Sequence, residues 1–430
     1  MRRSRILLAT TIAIAAALLG SGCTKEPKQP EAPAIKVTTI TLPAIADVPR
    51  DQPWDFTLPG ELRTDQVEGV AVLQGEKLLA INVVPKDGHL TITPAAPYER
   101  NLPHTLRIFA GEGKRYEATF TTQSYVRLKP GQITEVPASP SQGFHFTYYL
   151  YLPPGVQAGG TYRFLVAAND SNGNVSDALD YHAGFARKLL QPSTPARMLA
   201  DELKLPLLVP ATPYPLSPDA INLQALSRMA LQAKAAPSPY LRVDLQVLAM
   251  LEDARRMLAE AGIKAEAKAF VMGSSAGGLF ADRFALLHPE AVRAVAFGST
   301  SGLMALPVAQ FQGRTLRYPV GVADLKELAG VNFRLDDYMK VPRLVIMGQR
   351  DSKDWTRDSH AYEQADSELA HQLFGVLVPD RWYRMQAVAE ELGLPVQFIT
   401  YTEGGQNYSN LTDLVHFFAA NNNNGEGTAR

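Results

Sequence analysis

The chain has 430 residues, 46% of them hydrophobic and 20% charged, and a formal net charge of −1 at neutral pH. That length exceeds one typical core and implies two domains plus appendages. Near-neutrality, with no basic cluster beyond the N-terminus, argues against a nucleic-acid partner, and the single cysteine, Cys23, excludes an internal disulfide or a thiolate metal site.

Taken in order, residues 1–23 read as an export signal. Arg2, Arg3 and Arg5 precede an apolar stretch from Ile6 to Leu19 that is short for a membrane span. The stretch closes on Leu19-Gly20-Ser21-Gly22-Cys23. Small residues before a lone cysteine resemble the lipobox of bacterial lipoproteins, in which the cysteine is acylated and becomes the mature N-terminus. Gly20 stands where that family usually has leucine, and an uncleaved anchor or a plain secretory signal is the other reading. The resemblance implies a lipoprotein of the bacterial cell envelope, and Thr24 after the cysteine favours the outer membrane. Residues 24–34, rich in Pro, Lys and Glu, cannot bury a core and form a tether.

From 35 to 124 the chain has β character. Leu90/Ile92, Leu106/Ile108 and Tyr116/Ala118/Phe120 alternate, with turn residues at Asp87-Gly88 and between Gly111 and Gly113. Short strands at this spacing predict a β-sandwich. The segment resembles the Ig-like domains of bacterial surface proteins, which implies a spacer or presenting module.

From 125 to 420 short β-runs alternate with helical patterns. The runs are His145–Leu152, which alternates like an edge strand, then Tyr162–Ala168, Leu205–Val209, Ala267–Met272, Val292–Phe297, Arg343–Met347 and Val396–Tyr401. Leu241, Leu245 and Leu248 open the clearest helix, which runs to Leu258 and closes at Gly262. Such alternation means a mostly parallel sheet with helices on both faces, an α/β architecture. Residues 421–430 form a low-complexity, disordered tail.

The organising stretch lies at Gly273-Ser274-Ser275-Ala276-Gly277, a match to G-x-S-x-G between a β-run and an amphipathic helix that Pro289 stops. A strand-to-helix turn this tight needs glycine at its flanks. It pushes Ser275 out above the sheet edge and turns the Ala276 N–H toward a developing oxyanion. A serine hydrolase of this kind takes its acid after a later strand, and Asp351 follows Arg343–Gly348, with Asp354 as second choice. The second oxyanion donor is expected from the polar turn Asn169-Asp170-Ser171, a solvated turn being the alternative.

Residues from about 162 to 418 resemble secreted α/β-hydrolases of the esterase and polyhydroxybutyrate-depolymerase-like group, some of which carry an N-terminal Ig-like domain. The matching pieces are Asn169–Ser176, Leu205–Pro215, Gly273–Gly277, Arg343–Asp351 and Val396–Tyr408. The resemblance implies an α/β-hydrolase fold and action on a small ester or polymer without a cofactor. In that group the last strand leads to a histidine that serves as general base, but here the position is Gln406. A glutamine amide can hydrogen-bond Ser275 but cannot take its proton at neutral pH. His182, His360 and His416 are candidate substitutes, and His182, His360 and His371 lack metal-ligand spacing, which disfavours a zinc enzyme. Two functions stay open: an extracytoplasmic, lipid-anchored carboxylic-ester hydrolase with an atypical triad, or an inactive pseudo-hydrolase that binds a ligand, glycan or protein. The pocket walls are expected from Thr212–Ala236 and Gly302–Leu328.

Overall fold

A computed structural model describes residues 37–422 except 51, 100–101, 112, 123–127, 172, 217–220, 233–238 and 403–409. The export segment with Cys23, the tether to 34, Gln406 and residues 423–430 lie outside the described residues.

The alternating N-terminal segment folds as two sheets around one core. The first runs in the order Thr38–Thr41, Lys114–Thr122, Pro103–Ala110, Val67–Gln74, Lys77–Leu79. The second runs Trp54–Thr57, His89–Pro94, Ile81–Lys86. Trp54, Leu90 and Ile92 meet Leu106, Ile108 and Phe120 across the gap, so the alternating residues read from the sequence do face inward. Asp87-Gly88 is the hairpin loop between Lys86 and His89, and Gly88 takes φ +71°, which a side chain disfavours.

The second unit is built on eight strands: β1 (Ile133–Val136), β2 (Tyr148–Tyr151), β3 (Leu165–Ala167), β4 (Leu207–Pro210), β5 (Ala269–Ser274), β6 (Val292–Gly298), β7 (Arg343–Gly348) and β8 (Val396–Tyr401). Their order is β1-β2-β4-β3-β5-β6-β7-β8. Only the pairings made by β2 are antiparallel. This mixed sheet flanked by helices is the α/β-hydrolase arrangement, and it places the C-terminal ends of β3 through β8 along one edge.

One face of the sheet carries α3 (Val243–Glu260) and α4 (Ala276–Leu287). The other carries α1 (Leu179–Leu189), α2 (Pro195–Leu203) and α6 (Leu411–Ala420), and α5 (Val378–Glu391) precedes β8. Strand β5 shows the division residue by residue. Ala269 and Val271 belong to the first core, while Phe270 and partly buried Met272 face the second.

Two expectations from pattern are corrected. The stretch 145–152 is no edge strand: β2 lies between β1 and β4, and all four of its residues are buried. Its three tyrosines can be buried on both faces because each hydroxyl finds a partner, Asp253 for Tyr148, Arg187 for Tyr149 and Asp201 for Tyr151. In α3 the buried face runs through Val247, Met250, Leu251, Ala254 and Leu258, leaving Leu245 at 43% exposure. The chain also stays attached past α6, where Arg293 donates to the Asn421 carbonyl and Arg163 to the Asn422 side chain.

The α3 register can be checked by denaturant unfolding. Leu258→Ala removes a fully buried side chain and is expected to cost about 2–5 kcal/mol. Leu245→Ala should cost less than about 0.5 kcal/mol.

Candidate active site

Ser275 sits between the last residue of β5 and the first of α4 with φ 60° and ψ −127°. A non-glycine residue in that region costs about 1–3 kcal/mol and persists only when its surroundings hold it. The surroundings here are backbone. A Cβ on Gly273 would lie 2.0 Å from the Gly277 carbonyl oxygen, one on Gly277 2.6 Å from that of Ala168, and one on Gly278 2.4 Å from that of Gly298. The G-x-S-x-G-G pattern is therefore a close-packing requirement that joins β5, α4 and the ends of β3 and β6. The Ser275 N–H adds a bond to the Gly298 carbonyl at 3.0 Å.

The bend is as sharp as the motif implies, but Ser275 does not stand proud. It is 1% exposed, so neighbouring chain covers the turn. Ala276 is the first helical residue, and its N–H has no acceptor within α4.

The Asn169–Ser171 turn follows β3 directly above the elbow. The Asn169 side chain is committed to the end of β4, donating to Thr212 O at 3.0 Å and accepting from Thr212 N at 3.1 Å. Only the backbone of this turn can therefore serve a ligand anion. Asp170 is half-buried at the edge of a cavity. Ser171 is fixed by Gln224, whose Oε1 accepts from its N–H at 2.9 Å and its hydroxyl at 2.8 Å.

Asp351 lies three residues past the end of β7. Because β5, β6 and β7 are parallel neighbours, Ser275 and Asp351 rise from the same edge, two strand spacings apart. That is about 10 Å, enough for one side chain between them. Asp351 is 3% exposed. Its Oδ1 accepts from Lys353 N at 3.1 Å, and Ser299 also hydrogen-bonds the carboxylate. Its Oδ2 is buried with no hydrogen-bond partner among the described residues. Burial pushes the Asp351 pKa up, opposed by the Lys353 and Ser299 bonds.

The second-choice acid, Asp354, is spent elsewhere. It accepts from Arg381 Nη2 at 2.7 Å, Thr356 Oγ1 at 2.6 Å and Arg357 Nε at 3.2 Å. Burial alone would raise its pKa, but the Thr356 and Arg381 bonds and the Arg381 charge hold it below the ordinary value. Arg381 is fully buried and also donates to Ser301 O at 2.9 Å and Val376 O at 2.7 Å. It thereby ties the turn after β6, the acid loop and the start of α5 together. Nothing local in the sequence marks Gln224, Ser299 or Arg381 for these tasks. The polar run Ser299-Thr300-Ser301-Gly302 after β6 was the one available hint.

Two of the three substitute bases, His182 and His360, are occupied. His182 is buried with Nε2 2.9 Å from Ser176 O and Nδ1 3.4 Å from Gln224 Nε2, and burial lowers its pKa. His360 Nδ1 meets the Tyr214 hydroxyl at 2.7 Å, and His371 Nε2 meets Thr356 Oγ1 at 2.7 Å. His416 is exposed on α6. Among the described residues no group of three His, Cys, Asp or Glu side chains is placed to hold a metal ion.

Among the described residues two cavities border the edge, and their linings include none of 212–236 or 302–328. One, of about 340 Å³, lies between the ends of β3, β5 and β6 and helices α1 and α2. The other, of about 830 Å³, lies between the acid loop 349–357 and residues 376–379.

No family model and no curated protein matches the chain. Among solved structures it is similar to poly(aspartic acid) hydrolase-1 from Sphingomonas sp. KT-1, at 17% identity over 68% of this chain and 98% of that one, with a TM-score of 0.44. An S-formylglutathione hydrolase from Agrobacterium tumefaciens shows 14% identity over 67% and 91%, TM-score 0.34. An acetyl xylan esterase from Aspergillus awamori shows 13% over 67% and 99%, TM-score 0.36.

Asp351 yields a prediction with a defined sign. A buried acid whose pKa is raised on folding weakens the fold once it ionises. That cost is absent below the ordinary carboxylate range and complete above the raised value. Asp351→Asn should therefore raise the thermal midpoint at pH 8 by about 1–3 °C, with little effect near pH 3. An equal shift at both pH values would show that the carboxylate's charge is not the cause.

Proposed function

We propose that this protein is an extracytoplasmic, lipid-anchored serine hydrolase that cleaves carboxylic esters through Ser275, with an atypical triad of Ser275, Asp351 and Gln406. The observation that carries the reading is the strained backbone of Ser275, held by three close approaches that serve no packing purpose obtainable with ordinary side chains. In this reaction the Ser275 oxygen attacks the ester carbonyl carbon and the carbonyl electron pair moves to oxygen. The Ala276 N–H and a backbone donor of the Asn169–Asp170 turn stabilise that oxyanion. The alcohol leaves with a proton, and water then hydrolyses the acyl-enzyme.

Gln406 takes no proton, so the serine proton passes to water or hydroxide. Losing one triad member leaves an acceleration of roughly 10³–10⁴ over the uncatalysed reaction. The residue numbers 35–124 fit an Ig-like spacer between anchor and hydrolase. A second reading, a pseudo-hydrolase that keeps its cleft to bind a ligand or partner, draws on Gln406 and on the 1% exposure of Ser275.

A fluorophosphonate probe and a short-chain p-nitrophenyl ester separate the two. Slow labelling abolished by Ser275→Ala, with turnover rising tenfold per pH unit through neutrality, is expected for the enzyme. Gln406→His should speed turnover and convert that slope to a plateau above about pH 7. An unlabelled parent that stays silent to ester leaves the binding reading.

Among the described residues no helix is long and apolar enough to cross a membrane. Attachment is assigned to Cys23 on the lipobox-like run Leu19-Gly20-Ser21-Gly22-Cys23. Cys23→Ser should abolish incorporation of labelled palmitate and move the protein from the membrane to the soluble fraction. Membrane retention without label would instead indicate an uncleaved anchor.

A further inference from the structure

The smaller cavity, of about 340 Å³, is not accounted for by the reaction. It lies on the α1–α6 face of the sheet, where deeper positions are filled by Leu165, Phe270 and Leu344, each at most 1% exposed. Toward the strand ends the same face carries Ala167, Ser274, Ala296 and Gly298. The core stops short, and the space opens between Lys188 on α1 and Pro195 at the start of α2. Its walls include Phe185, Leu189, Met272, Ile346 and Leu414. A volume of this size is in the range of small-molecule sites, and leaving it unfilled forfeits contacts that a core would otherwise make.

Charge gives the cavity a direction. At its outer end Lys188 Nζ lies 4.2 Å from the Phe185 ring centroid and forms no ion pair among the described residues. At the elbow its lining is Gly273 and Ser274, which carry no charge. An anionic head is drawn to Lys188, while an apolar chain gains from the walls.

We propose that this cavity binds a medium-chain monocarboxylate, its carboxylate on Lys188 and its chain running inward along Met272 and Leu414 toward the elbow. The site does not require Ser275 to react. Ligand-observed NMR titrations of the full chain carrying Cys23→Ser, so that no protein-bound acyl group competes, test it with hexanoate, heptanoate, octanoate and octan-1-ol. Each added methylene should tighten binding about fourfold. Lys188→Met, a surface change, should weaken octanoate about three- to fivefold and leave octan-1-ol unaffected. Ala196→Phe, which fills the space from α2, should remove both. If Ala196→Phe lowers the thermal midpoint, Lys188→Met alone carries the test.

Absence of octanoate binding overturns the inference. So does equal binding of octanoate in the parent and Lys188→Met. Running the titrations in Ser275→Ala as well keeps the questions apart. Octanoate bound there with no hydrolysis in the parent removes the reaction and keeps the site, and hydrolysis without octanoate binding does the reverse.

Discussion

Ser275 can keep φ at 60° only because its neighbours leave the chain no other path. Gly273 must pass the Gly277 carbonyl, Gly277 must pass Ala168, and Gly278 must pass Gly298. The atoms a Cβ would meet are backbone, so no rotamer change could relieve them. The same three approaches fix the start of α4 against β6 and the turn after β3 against the elbow. Position 275 is thus where sheet, helix and loop are registered to one another, and the orientation of everything at this edge follows.

Around that clamp, buried polar side chains hold the loops. Asn169 staples the ends of β3 and β4 through Thr212. Gln224 fastens Ser171 and meets His182. Arg381 bonds Ser301, Val376 and Asp354, and the Ser301 hydroxyl in turn donates to Lys353 O. A buried guanidinium is tolerable when its donors are met by carbonyls and a carboxylate. Because Arg381 consumes Asp354, Asp351 is the one of these two acids left with an oxygen that has no hydrogen-bond partner among the described residues.

The sequence made the elbow legible because its glycines are contiguous and each answers a steric need within a few residues. The parallel strands were legible as apolar runs for the same local reason. What stayed hidden depends on contacts between distant segments. Asp351 and Asp354 look alike in sequence, and only Arg381, 27 positions beyond Asp354, distinguishes them. The β2 strand misled because polar hydroxyls in a strand resemble a half-exposed edge unless their partners on three other elements are known. In α3 the leucine pattern suggested a face that Leu245 does not join, since Val247, Met250 and Ala254 fill it instead.

The elbow strain and the desolvated acid are both costs, and a triad histidine would offset them by donating to Asp351 and accepting from Ser275. A glutamine side chain carries the same two functions, an N–H donor and a carbonyl acceptor. It can satisfy the hydrogen-bond pattern of a neutral imidazole while lacking a basic nitrogen. Substitution at 406 therefore need not loosen the site: it separates the geometry of a triad from its proton transfer. A histidine lost through drift to an apolar residue would leave the Asp351 Oδ2 buried and unpaired at a cost of about 1–3 kcal/mol. A glutamine amide has the donor that could avoid this. In the reaction proposed for Ser275, a change at position 406 would then act on the proton transfer rather than on the integrity of the fold around it.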